Sequence, residues 1–210
     1  MAIYSNMKRA NTALLIIDPV NSCVHENCET PERNIRFTKI RATLPKLAEF
    51  VNEYRQRIGG MIIFTTLTPW NEKHLPPNLN ELYTDPRANY YSEDTVGFDE
   101  QFHTVIPQKG DLVIAKNTYD AFTNNELLSA LKKKGIQYIV VTGVFTDGCV
   151  LASVVSGFSK GFNFVILKDL VETTDVDTRQ ELQKSLIDYT FPVMYGKTIS
   201  SGEFLDVFSP

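Results

Sequence analysis

The 210-residue chain alternates between two hydrophobic patterns. Short continuous apolar runs predict buried strands at residues 13–17 (ALLII), 61–66 (MIIFTT), 111–116 (DLVIAK), 136–141 (IQYIVV) and 162–167 (FNFVIL). Between the first two, Ile40, Leu44, Leu47, Val51, Tyr54 and Ile58 recur every three or four residues. That spacing predicts a helix, and Gly59-Gly60 would close it. Thr123, with Glu126 three residues on, reads as a capping box opening a helix through Leu127, Leu128 and Leu131 to a stop at Gly135. A last helix is predicted over about 175–189, with a short edge strand near Val193. Strands alternating with helices predict a three-layer α/β/α sandwich around a parallel sheet of about six strands.

Residues 68–110 break this rhythm. They contain Pro69, Pro76, Pro77, Pro86 and Pro107 and sustain no period, yet carry Trp70, Tyr83, Tyr90, Tyr91, Phe98 and Phe102. An unstructured connection of this length in a compact fold reads as a lid or substrate loop. With no internal repeat, low-complexity tract or linker, residues 1–210 read as one domain.

Composition narrows the function classes. A 43% hydrophobic chain with 22% charged residues and a formal charge of −4 suits an α/β domain with a sizeable core. No apolar run reaches the roughly 18 residues of a membrane span, and the start MAIYSNMKRANTALL lacks a signal-peptide core. Mild acidity argues against nucleic acid as a partner. Three cysteines, Cys23, Cys28 and Cys149, are an odd number, and read as reduced thiols in a cytoplasmic protein.

Candidate chemistry lies at the strand ends. Asp18, Lys116 and Cys149 each follow a predicted strand, and Cys149 also opens a predicted helix. In a parallel sheet the carboxyl ends share one edge, so these distant residues can converge in one crevice. There the helix dipole would favour thiolate over thiol. A thiolate is a nucleophile, a carboxylate can take its proton and return it to a leaving amine, and a lysine favours both ionised forms. Taken singly each has an ordinary explanation: a turn-forming aspartate, a solvated lysine, a small buried cysteine. Their joint placement points to a site.

The segments ALLIIDPVNS, VIAKNTYDAFTNNELLSAL and VVTGVFTDGCVLASVVSGFSKGF resemble the signature blocks of the isochorismatase-like cysteine hydrolases, a superfamily that includes nicotinamidases and N-carbamoylsarcosine amidohydrolases. The resemblance runs from about Thr12 to the end and is weakest over 68–110. It implies a Rossmann-like parallel sheet and a hydrolase cleaving a C–N bond of a small amide, ureido or carbamoyl compound through a thioester. In that reading Asp18 is the base, Lys116 the catalytic lysine and Cys149 the nucleophile. The resemblance also implies a non-proline cis peptide matching Val144-Phe145, and an oxyanion hole formed by the backbone N–H groups of Phe145 and Cys149. It implies a homo-oligomer, dimer or tetramer, and no cofactor.

The sequence departs from nicotinamidases where their metal-binding D-x-H element would stand. That stretch reads FTTLTPWNEKHL, and His74 alone cannot hold a metal, so none is expected. Cys23, His25 and Cys28 could be half a zinc site, but no second ligand pair completes it. Trp70, Tyr119, Phe122 and Phe145 are candidates to line the substrate pocket, with Phe145 narrowing it, although core packing would also explain each. No arginine is obviously placed to clamp a substrate carboxylate, though Arg87 in the long loop could be. Two rival readings stay open: a thiol redox protein using Cys149, and a non-catalytic member whose crevice binds a small molecule or partner.

Overall fold

In the computed structural model the described residues are 3–85, 88, 98 and 101–208. In chain order the elements are β1 (Thr12–Ile17), α1 (Asn21–Val24), α2 (Thr38–Arg57), β2 (Met61–Leu67), α3 (Pro77–Leu82), β3 (Leu112–Lys116) and α4 (Asn125–Lys133), followed by β4 (Tyr138–Val144), α5 (Leu151–Ser159), β5 (Asn163–Glu172), α6 (Asp177–Ser185), β6 (Gly196–Ile199) and α7 (Ser201–Val207). The six strands form one sheet in the order β3-β2-β1-β4-β5-β6, and every pairing is parallel. Alternate residues of the central strands face opposite sides, so both faces must be covered. Leu14, Ile16, Phe64 and Val140 pack under α2 through Ile40, Leu44, Leu47 and Val51. Leu15, Ile17, Ile63 and Ile139 pack on the other side with Leu127, Leu131 and Val154 of α4 and α5. Among the described residues no helix is long and apolar enough to cross a membrane.

The direction of winding reverses between β1 and β4, the place where open α/β sheets leave a crevice beyond the strand ends. Here the two backbones come unusually close. Gly143 on β4 pairs with Ile17 on β1 and has φ +102°, and a Cβ at Gly143 would lie 2.1 Å from the Ile17 carbonyl oxygen. Only glycine fits such an approach.

Four expectations need correction. The helical start near 123 is capped by Asn124, whose side chain accepts from the Glu126 N–H, while Thr123 belongs to the preceding 3₁₀ turn and bonds Asp120. The edge strand begins at Gly196, because Val193 sits exposed on a π-helical turn, Leu186–Tyr195, that contains Pro192. Residues 136–141 and 162–167 underestimate β4 and β5, which run on to Val144 and Glu172. Residues 68–110 are not wholly irregular: they contain α3, and Trp70, Leu75, Leu79 and Val105 are buried in the core on the α2 side. Phe102 also bridges Val20, and the His103 N–H donates to the Pro19 carbonyl, which pins the segment across the end of β1.

Gly143→Ala tests the close approach. The left-handed φ and the overlap with Ile17 together should cost at least about 3 kcal/mol in denaturant unfolding. A loss below about 1 kcal/mol would show that β1 and β4 can separate without penalty.

Candidate active site

Asp18 is the first residue after β1 and is fully buried. Its φ of +49° is a left-handed conformation that aspartate tolerates better than most residues. Thr65 of β2 holds it from both sides: the Asp18 N–H donates to Thr65 Oγ1 at 3.0 Å, and that hydroxyl donates to Asp18 Oδ1 at 2.6 Å. The second carboxylate oxygen, Oδ2, lies 2.8 Å from Lys116 Nζ, an ion pair rather than an aligned hydrogen bond. Lys116 ends β3, so its side chain crosses the end of β2 to reach the residue after β1. Its ammonium also donates to Cys149 Sγ at 3.3 Å and to the Thr118 carbonyl at 3.1 Å. One buried ammonium therefore joins the ends of three strands.

Cys149 stands on a π-helical turn, Thr146–Val150, between β4 and α5. The Val144-Phe145 peptide that leads into the turn is cis. The Phe145 carbonyl accepts from the N–H groups of Gly148 and Val150, which folds the turn over residue 145. The turn is also gripped from outside. Arg179 on α6 donates from Nε and Nη2 to the two Asp147 carboxylate oxygens at 2.6 and 2.7 Å, and Thr173 donates to Asp147 Oδ1 at 2.5 Å.

Burial decides the state of the thiol. It pushes Cys149 up to about 12; the Lys116 ammonium opposes the rise and the Asp18 carboxylate adds to it. Burial thus favours the thiol over the thiolate, against the pull expected from the helix dipole. A dipole effect on an N-terminal group amounts to about 0.3–1 kcal/mol, too little to offset full desolvation. Burial alone would pull the Lys116 ammonium down, but Asp18 and Cys149 hold it above the ordinary lysine range. Cys23 is likewise buried and pushed well above the ordinary thiol value, by desolvation first and then by Asp18 and Cys149.

The aromatic candidates separate into two groups. Trp70 lies with its ring 6.0 Å from Lys116 Nζ and 6.1 Å from the Tyr119 ring. Tyr119 and Tyr83 share a 2.7 Å hydroxyl–hydroxyl hydrogen bond, so Trp70, Tyr83 and Tyr119 form one wall beside the lysine and thiol. Trp70 and Tyr83 also line a cavity of about 1070 Å³ with Asn71, Asn80 and Glu81. Phe122 belongs elsewhere: it packs against Phe162 and Phe164, under Gly157 of α5, in the core. Phe145 does not narrow the pocket either, because its ring is buried between Phe37 at 5.9 Å and the Arg179 guanidinium at 5.0 Å. Arg87 lies outside the described residues. His25 stacks on Phe98 and lies near His103, and Cys28 is buried; no group of three or more metal-ligating side chains converges among the described residues.

Three contributors escape a reading of the sequence. Thr65 carried a usable signal, a hydroxyl in an apolar strand beside a strand-end aspartate. Tyr83 stands among the aromatics of the 68–110 segment, but its pairing with Tyr119, like that of Asp147 with Arg179, spans more than thirty positions.

Residues 12–197 match the family model described as the isochorismatase domain. The chain belongs to the isochorismatase family. Among curated relatives, the ureidoacrylate amidohydrolase RutB of Enterobacter sp. (strain 638) is 28% identical over 214 residues, covering 95% of this chain and 90% of that one. Among solved structures, a cysteine hydrolase from Pseudomonas syringae pv. phaseolicola 1448A superimposes with a TM-score of 0.80 at 16% identity, covering 99% of this chain and 97% of that chain. An N-carbamoylsarcosine amidase from Thermoplasma acidophilum gives 0.66 at 21% identity, covering 93% and 97%. At these identities the two structures speak for the family's fold.

The electrostatics predict an alkylation profile. A thiol near 12 should react with iodoacetamide at a rate that climbs about tenfold per pH unit from pH 7 to 10, following the thiolate fraction. Lys116→Met removes the cation beside the sulfur and should slow the reaction at fixed pH. A Lys116→Met rate equal to native across this range would show that the ammonium does not stabilise the sulfur anion and would refute the assignment.

Proposed function

We propose that this protein is a cysteine-dependent hydrolase that cleaves a C–N bond of a small amide, ureido or carbamoyl compound through a thioester. The observation that carries the reading is the buried contact set of Lys116 with both Asp18 and Cys149. The name of the Enterobacter relative supports the ureido class.

In this reading Asp18 accepts the thiol proton as Cys149 Sγ attacks the carbonyl carbon. Thiol and carboxylate become thiolate and carboxylic acid, so the proton transfer itself leaves one negative charge beside the Lys116 ammonium. The oxyanion of the tetrahedral intermediate is received by the backbone N–H groups of Phe145 and Cys149. Its collapse breaks the C–N bond, and Asp18 returns the proton to the leaving nitrogen. Asp18 then takes a proton from water as it attacks the thioester, and Cys149 leaves with that proton restored. Trp70, Tyr83 and Tyr119 form the wall against which the small substrate rests. The protein acts as a homo-oligomer, a reading supported by Phe158, Leu182, Tyr189, Val193 and Met194, which expose apolar surface on α5, α6 and the turn after α6.

The direct test is intact-mass analysis after incubation with a panel of ureido acids, carbamoyl amino acids and simple amides. A covalent acyl or carbamoyl adduct on Cys149, with ammonia or amine released, is expected for at least one. Cys149→Ala should abolish turnover while retaining the fold, and Asp18→Asn should lower kcat by about 10²- to 10⁴-fold. Turnover that survives Cys149→Ala would overturn the reading.

A further inference from the structure

We infer that Arg179 is a positioning residue for this site: from α6 it holds the 145–149 turn in the geometry that oxyanion stabilisation needs, without touching a reacting atom. The inference rests on the proposed hydrolase reading. It also concerns a residue far from the strand-end blocks that suggested that reading.

The turn is short and contains Gly148, so its own backbone bonds leave it room to flex. What fixes it lies on the neighbouring elements. Asp147, midway between residues 145 and 149, is bound at both oxygens by Arg179, with Thr173 at the end of β5 adding a third bond. The same guanidinium lies 5.0 Å over the Phe145 ring, which rests on Phe37 on another side. Between them, Thr146 donates to Gln183 of α6 at 2.6 Å, and Gln183 donates to Glu172 of β5 at 2.6 Å. Residues 145, 146 and 147 are therefore each held by α6, two of them by Arg179. An arginine suits this task because its planar fork fixes orientation as well as distance to a carboxylate, which a lysine ammonium cannot. Arg179 Nε and Nη2 both donate to Asp147 and its guanidinium faces the Phe145 ring, so its fork is aimed at the turn.

A purely structural ion pair would affect all reactions of Cys149 alike. An oxyanion-positioning role affects only those that pass through an oxyanion. Two probes separate these. p-Nitrophenyl acetate acylates the thiol: the S–C bond forms, the acyl C–O bond breaks, p-nitrophenolate leaves with the electron pair, and the thiol proton passes to Asp18. Iodoacetamide instead forms its C–S bond by displacing iodide, with no oxyanion. In Arg179→Gln the acylation rate should fall about 10- to 100-fold, the cost of misplacing reacting groups by about 1 Å, while the alkylation rate and its pH profile stay within about twofold of native. Arg179→Lys should recover part of the loss. Because Asp147 left unpaired could unfold the turn, the double variant Asp147→Asn with Arg179→Gln removes both charges together and should show the same selective loss. Native-rate acylation in the double variant, or an equal fall in acylation and alkylation, would overturn the role of Arg179 alone. A native protein that is alkylated at Cys149 but never acylated would overturn the hydrolase reading and this role with it.

Discussion

The structure is organised around one constraint, that an ammonium buried in a protein interior must be surrounded by groups that compensate its lost hydration. An isolated buried charge is so costly that it would neutralise or stay in water. Lys116 avoids this because a carboxylate, a sulfur and a carbonyl oxygen meet at its Nζ. Each lies on a different segment, and the parallel sheet brings those segments to one edge. The fold and the site are therefore specified by the same contacts. The order β3-β2-β1-β4 keeps β3 two strands from β1, a distance of about 10 Å at the usual strand spacing. A lysine is long enough to span much of it, and Thr65 on the intervening strand turns Asp18 to meet it.

Such a site favours proton exchange without a change in net charge. Moving the proton from Cys149 to Asp18 leaves one cation and one anion before and after, so the surroundings need not reorganise around a new charge. This reconciles a thiol pushed up to about 12 with a role as nucleophile. Burial penalises a thiolate formed by losing its proton to solvent. It penalises much less a thiolate formed by handing that proton to a neighbour that was itself charged.

How much of this could be read from the chain depends on the range of the interactions involved. The buried strands are continuous apolar runs, and the strand-end residues stand out as polar breaks in them, so Asp18, Lys116 and Cys149 were visible as a set. The loop segment misled because proline punctuation was read as irregularity, whereas Pro76-Pro77 starts α3 and leaves Leu79 to anchor it in the core. Phe122 was placed near the pocket by its closeness in sequence to Lys116. The 3₁₀ turn at Ala121–Thr123 instead carries it under α5. The thiol departs from its local signal for a similar reason. A helix start is a local feature written in sequence, but desolvation is set by every element that closes over the residue.

The strand ends and the 68–110 segment divide the work. The triad sits on rigid strand ends and offers the same chemistry to any carbonyl that reaches it. Discrimination must come from the wall that the segment builds with residues just after β3. In the Tyr83–Tyr119 pair two hydroxyls share one hydrogen bond of 2.7 Å, which ties the segment to the residues just after β3. The wall thus combines three aromatic rings with a pair of bonded hydroxyls next to the Lys116 ammonium. A site built to donate a hydrogen bond rejects compounds that cannot accept it far more strongly than an apolar pocket rejects a missing methylene. Replacing either tyrosine by phenylalanine breaks the bond between the two, and is expected to change which substrates are accepted before it changes the chemistry performed on them.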